Sequence, residues 1–116
     1  MMKLPNREEA IVPEAKITLY LLNPQHPKGR GKAKFFMQFG FSVAQWKQLA
    51  DALFDHTQTH EVVKTEHTQF GTRYVIEGAL ETPINRQPQV RVVWFISTDS
   101  TQPHLVTAYP LEGSDD

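Results

Sequence analysis

Hydrophobic residues recur every third or fourth position up to about His60, and every second position after it. The first period belongs to helices and the second to strands. The opening residues to Val12 carry neither period and read as an extended arm. Pro13 suits the first turn of a helix, where its missing N–H has no partner to lose. In "EAKITLYLLN", Ile17, Tyr20 and Leu21 fall at helical spacing, and Pro24 and Pro27 end the run. "KAKFFMQF" predicts a second short helix, closed by Gly40 in the left-handed conformation. Ser42 with Gln45 fits a capping box, and Phe41 with Trp46 a hydrophobic staple. A third helix is therefore expected from Ser42. Val43, Trp46, Leu49, Ala50, Leu53 and Phe54 form its apolar face, and it frays from His56 to Thr59.

Beyond His60, "HEVVKTEHT", "TRYVIEGAL", "QVRVVWFIS" and "HLVTAYP" read as four strands. Their links, "QFG", "ETPINRQP" and "TDSTQP", are short and rich in turn formers, which favours an antiparallel meander. The third strand is apolar at nearly every position and belongs inside the sheet. The expected class is α+β, with three N-terminal helices packed on a four-stranded antiparallel sheet whose other face is partly open. The expected organisation is an arm over 1–12, one domain over 13–110 and a disordered acidic tail over 111–116. Trp46, Trp94 and the cluster Phe35, Phe36, Phe39 and Phe41 are assigned to the core.

Composition narrows the function. The chain has 116 residues, enough for one core. No run of about 18 apolar residues is present, so no membrane-spanning segment is expected, and the start lacks the apolar stretch of a secretory signal. The absence of cysteine excludes disulfides, thiolate nucleophiles and cysteine metal sites. Twelve Lys and Arg against 13 Asp and Glu leave a net charge of −1, so a polyanion would have to be held by a local patch.

Such a patch stands in "HPKGRGKAKFF", where Lys28, Arg30, Lys32 and Lys34 occur without an acid. Gly29 and Gly31 would let the backbone approach a ligand, and a helix starting near Lys32 would offer free N–H groups to a phosphate. The spacing is not that of a nucleoside-triphosphate loop. The bland alternative is a solvated basic loop. His26, between Pro24 and Pro27, is held on both sides and is a candidate for proton transfer, or else a surface residue of a structural turn. His56 and His60, four apart, have the spacing of two metal ligands, with Glu61 and His67 as thirds, but no closing set is evident. No cofactor or metal is expected.

"YLLNPQHP" with "GKAKFF", then "FGTRYVIEG", "VRVVWFI" and "VTAYP", resembles a family of small bacterial domains of unassigned function, over Lys3 to Pro110. The order of helices and strands also resembles the barnase, EndoU, colicin and RelE-like ribonuclease fold. That fold is common in toxin domains of bacterial conflict systems and presents its sheet to RNA. The resemblance implies a metal-independent ribonuclease acting on tRNA or mRNA, with a cognate antitoxin or immunity protein as partner. It implies action in the cytoplasm, or delivery into a target cell as part of a longer effector.

Arg73 and Glu77 share one face of their strand, and a suitable hairpin register adds Arg91. A glutamate with two arginines resembles the acid–base and phosphate clamp of barnase-like nucleases. The resemblance also makes His104, at the end of the sheet, a second candidate acid. Thr107 and Tyr109 alternate onto one face, where their hydroxyls can meet phosphate oxygens. The alternatives are a cross-strand salt bridge and ordinary strand formers. The alternative function is a noncatalytic module, accessory or immunity-like, that recognises a protein or an anionic partner.

Overall fold

The computed structural model describes residues 2–111. Of the expected acidic tail only Leu111 is among them; Glu112, Asp115 and Asp116 lie outside the described residues. The helical layer holds α1 (Glu14–Lys16), which continues into a π-helical segment, Ile17–Leu21, then α2 (Arg30–Gln38) and α3 (Trp46–Thr59). The sheet holds β1 (Val62–Thr68), β2 (Gly71–Ala79), β3 (Gln89–Ser97) and β4 (His104–Pro110), all antiparallel, in the order β1-β2-β3-β4. The α+β class and the meander are as expected, with β3 inside the sheet.

Hydrophobic alternation decides which face the helices cover. Ile76 on β2, Val90, Val92 and Trp94 on β3, and Leu105 and Ala108 on β4 join Leu4, Ile17, Leu21, Phe36, Leu49 and Leu53 in one core. The alternate set, Arg73, Val75, Glu77, Arg91, Val93, Thr107 and Tyr109, is turned to the uncovered face. Two irregularities make this sorting work. Between Thr107 and Leu105 the pairing with β3 slips by one residue, Val106, which returns Leu105 to the core while Thr107 stays outside. A similar slip between Val62 and Lys64 leaves Val62 packed on the core and Lys64 opposite Val75 on the open face.

Three expectations about the helices change. α2 begins at Arg30, so Gly31 lies inside its first turn. α3 begins at Trp46, four residues after Ser42. Ser42 Oγ does accept the Gln45 N–H at 3.3 Å, but within a turn; Gln45 has a non-helical backbone, and the helix cannot extend back through it. Val43 is consequently exposed. The C-terminal end of α3 is not frayed: His56 and Thr57 are buried, and Gln58 donates to the Arg7 carbonyl. Docking on the sheet, absent from any local pattern, holds that last turn. The end of α2 is as expected, with Gly40 at φ 95° and its N–H on the Met37 carbonyl. The Phe41 N–H closes the motif on the Phe36 carbonyl.

The N-terminal arm is packed rather than loose. Leu4 is fully buried, the Met2 carbonyl accepts the Val62 N–H, and Ile11 pairs with the chain at Pro103 and Leu105.

Candidate functional site

Strand register brings the sheet residues together. Glu77 lies directly opposite Arg91, and Arg91 directly opposite Tyr109. Arg91 Nε donates to Glu77 Oε2 at 2.7 Å, and Nη2 of the same guanidinium is 2.6 Å from that oxygen. Arg91 Nη1 donates to the Tyr109 hydroxyl at 3.5 Å, and the guanidinium lies 5.7 Å from that ring's centre. The Tyr109 hydroxyl and then the Glu77 carboxylate hold the Arg91 guanidinium above its ordinary range.

Arg73 shares this face but takes a different partner. Its Nη1 donates to Glu66 Oε1 at 2.8 Å, and Lys64 Nζ stands 3.4 Å from Glu66 Oε2. The Arg73 bond, then Lys64, draws the Glu66 carboxyl below its usual range. A groove of about 510 Å³ runs between the two networks, lined by Lys64, Arg73, Val75, Glu77, Arg91 and Tyr109 among others. Three cations, Lys64, Arg73 and Arg91, face two carboxylates, Glu66 and Glu77, so the groove is locally positive on a nearly neutral chain.

The basic segment divides. Lys32 turns to the sheet, its Nζ 5.8 Å from the centre of the Tyr109 ring and 5.4 Å from that of Tyr20. Lys28, Arg30 and Lys34 are exposed. Arg30 and Lys34 instead border a shallow groove of about 710 Å³ with Pro24, Gly31, Met37 and Gln38. The two glycines also differ. A Cβ on Gly29 would run into the carbonyl oxygen and ring of Tyr20, whereas nothing lies within 4 Å of one on Gly31. Gly29 therefore serves contact with Tyr20, within the chain, and not approach to a ligand.

His26 is drawn into the same start of α2. Its Nδ1 accepts the N–H groups of Lys28 and Gly29, each at 3.0 Å. The ring's proton is then on Nε2. The N–H groups of the two residues just before α2 are thus taken by a side chain, and the Arg30 N–H by the His26 carbonyl. The His26 ring packs edge-on to Tyr20 at 4.9 Å. His104 is exposed and pairs with Phe95, at the end of β4 away from Tyr109. It is not brought to the groove. His56 and His60 stack at 4.3 Å, and no group of three or more metal-binding side chains occurs among the described residues.

Tyr20 is the residue that sequence reasoning passed over, because its spacing assigned it to helix packing. Its hydroxyl lies 2.9 Å from Thr107 Oγ1, and the ammonium groups of Lys16 and Lys32 are each 5.4 Å from its ring centre. Burial raises its pKa, but the Thr107 bond with Lys32 and Lys16 outweighs that, and the phenol titrates below its ordinary value. Thr107 and Lys32 were both candidates, and their common neighbour is this phenol.

The sequence profile of a family described as a domain of unknown function, DUF6883, matches residues 3–112. The chain belongs to this family. No curated protein matches the DUF6883 chain by sequence. Among solved structures, the DUF6883 fold is similar to a chain of a contact-dependent growth inhibition toxin–immunity protein complex from Klebsiella pneumoniae 342, with a TM-score of 0.68. The two are 16% identical, and the match covers 87% of this chain and 99% of that one. At that identity the likeness is one of fold. No helix among the described residues of the DUF6883 chain is long and apolar enough to cross a membrane.

Proposed function

We propose that this DUF6883 domain is a small, metal-independent ribonuclease of toxin type, acting on RNA at the open face of its sheet. The observation that carries the reading is the Glu77–Arg91–Tyr109 network beside Arg73 and Lys32, a carboxylate set among groups that bind phosphate. Glu77 takes the proton of a ribose 2′-hydroxyl, O2′ attacks phosphorus, and the P–O5′ bond breaks. Arg91, Arg73 and Lys32 stabilise the charge that gathers on the phosphorane oxygens. Lys28, Arg30 and Lys34 extend the positive field towards the flanking backbone, and Thr107 and Tyr109 offer hydroxyls to it. The similarity to a chain from a toxin–immunity complex supports a role in bacterial conflict, with a cognate immunity protein or antitoxin as partner and a target-cell cytoplasm as the place of action.

That complex holds both a toxin and an immunity protein, which favours a second reading. In it the domain is immunity-like, and the groove along α2, with Met37 45% exposed, meets a partner protein.

Incubating the purified domain with total RNA separates the two. The ribonuclease reading expects fragments with 2′,3′-cyclic phosphate ends, and a folded Glu77→Gln protein that binds RNA but cleaves it about 10² to 10⁴ more slowly. Intact RNA with the parent protein leaves the immunity-like reading. Undiminished cleavage by Glu77→Gln removes Glu77 as the base.

A further inference from the structure

The proposed cleavage needs a proton on its leaving side. As the P–O5′ bond breaks, the 5′-oxygen departs as an alkoxide unless a group donates to it. Arg73 and Arg91 are engaged by Glu66 and Glu77 and hold their protons firmly. His104 stands at the far end of β4, and His26 holds the backbone of Lys28 and Gly29.

Tyr20 stands where the sheet meets the basic segment. Its hydroxyl touches Thr107, two residues before Tyr109 on β4, and Lys32 lies between the Tyr20 and Tyr109 rings. Glu77 on β2 and Thr107 on β4 are two strand spacings apart and offset by two residues along the strands, about 12 Å between backbones. Side chains from those strands can therefore flank a phosphodiester that lies across Arg91 on β3. The fold also fixes this phenol: Gly29 admits the Tyr20 backbone and ring at a distance no side chain would allow, and His26 packs on its edge.

We propose that Tyr20 is the general acid of the reaction, donating its hydroxyl proton to the departing 5′-oxygen of RNA. This rests on the ribonuclease reading. Glu77 gains the 2′-hydroxyl proton, the O2′–P bond forms, the P–O5′ bond breaks, and the Tyr20 proton passes to O5′. The products are a 2′,3′-cyclic phosphate and a 5′-hydroxyl, with nothing oxidised or reduced. The phenolate left behind is met by the Thr107 hydroxyl and the Lys32 ammonium, and water returns its proton while Glu77 releases one. The lowered pKa of the phenol agrees with this, since the groups that lower it are those that stabilise the product anion.

The test compares two substrates with the full chain: a short RNA, and uridine 3′-(4-nitrophenyl phosphate), whose leaving group departs without a proton. Tyr20→Phe keeps the ring and removes the acid. It is expected to slow RNA cleavage by about 10² to 10⁴ and cleavage of the activated ester by less than about tenfold. Glu77→Gln, lacking the base, slows both. If Tyr20→Phe cleaves RNA at the parental rate, or slows both substrates equally, Tyr20 is not the acid and the ribonuclease reading stands without it. If the parent cleaves neither substrate, that reading falls and the inference with it. Should Tyr20→Phe fail to fold, Thr107→Val is read on the same two substrates, with a selective loss on RNA expected and equal losses overturning the assignment.

Discussion

Lowering the pH from 7 to 5 is expected to destabilise the fold through one side chain, His56. The residue is 2% exposed, its Nε2 lies 3.2 Å from the Gly78 carbonyl, and its Nδ1 has no partner among the described residues. Burial pushes its pKa from 6.5 down to about 4; His60 adds to the fall and the Gly78 carbonyl opposes it. The unfolded chain therefore binds a proton near pH 6.5, and the folded chain only near pH 4. Between those values the unfolded state holds more protons, so stability falls as the pH falls. The whole interval corresponds to about 3 kcal/mol, of which about 2 kcal/mol is lost by pH 5. For a domain of this size that is roughly 10 °C in Tm. Thermal unfolding followed by circular dichroism at pH 7 and pH 5, for the parent and for His56→Gln, isolates the contribution, because other titrating groups act in both proteins. The parent should lose about 2 kcal/mol more than the variant. Equal losses in the two proteins would refute the reasoning.

Gly78→Ala would drive a Cβ into the His60 ring and should cost about 1 to 3 kcal/mol, seen as a lower urea midpoint; an unchanged midpoint would mean that the ring swings aside. Gly29→Ala should destabilise by a similar amount because its Cβ meets the Tyr20 carbonyl, while Gly31→Ala, in open space within α2, should stabilise by up to about 1 kcal/mol. Opposite signs in denaturant titrations are the check. Lys32→Ala with Lys34→Ala should weaken binding of a short RNA and flatten its salt dependence in fluorescence titrations, with Lys32 the larger contributor; equal slopes would take the basic segment out of binding.

Regular periods made the sheet legible. Runs of strand formers between turn formers located the four strands to within two residues, and alternation put Arg73 and Glu77 on one face, which Arg91 joins through the hairpin register. The partner of Arg73 was not legible, because it depends on how tightly the β1–β2 turn closes: pairing Thr68 with Gly71 sets Glu66 opposite Arg73, and nothing in "QFG" marks that register. Tyr20 was hidden for a related reason. Its neighbours Thr107 and Lys32 lie 87 and 12 positions away, and only the docking of the first helical segment against β4 joins them. His56 looked like part of a fraying end, because local pattern registers polarity but not the Gly78 carbonyl waiting across the interface.

The N-terminal arm sets a timetable for the fold. Leu4 fills the core, Met2 completes the start of β1, and Ile11 pairs with the chain on either side of His104. The arm thus bonds to the last strand of the sheet, and the outer edge of β4 is complete only once Ile11 has met Pro103 and Leu105. Contacts between the two ends of a chain must bear the largest closure entropy, and they slow folding accordingly. A nascent chain stopped short of Pro103 would carry Ile11 with no strand to join. For a domain read as destructive to RNA, the open face is whole only when β4 has docked, with Tyr109 against Arg91 beside Glu77.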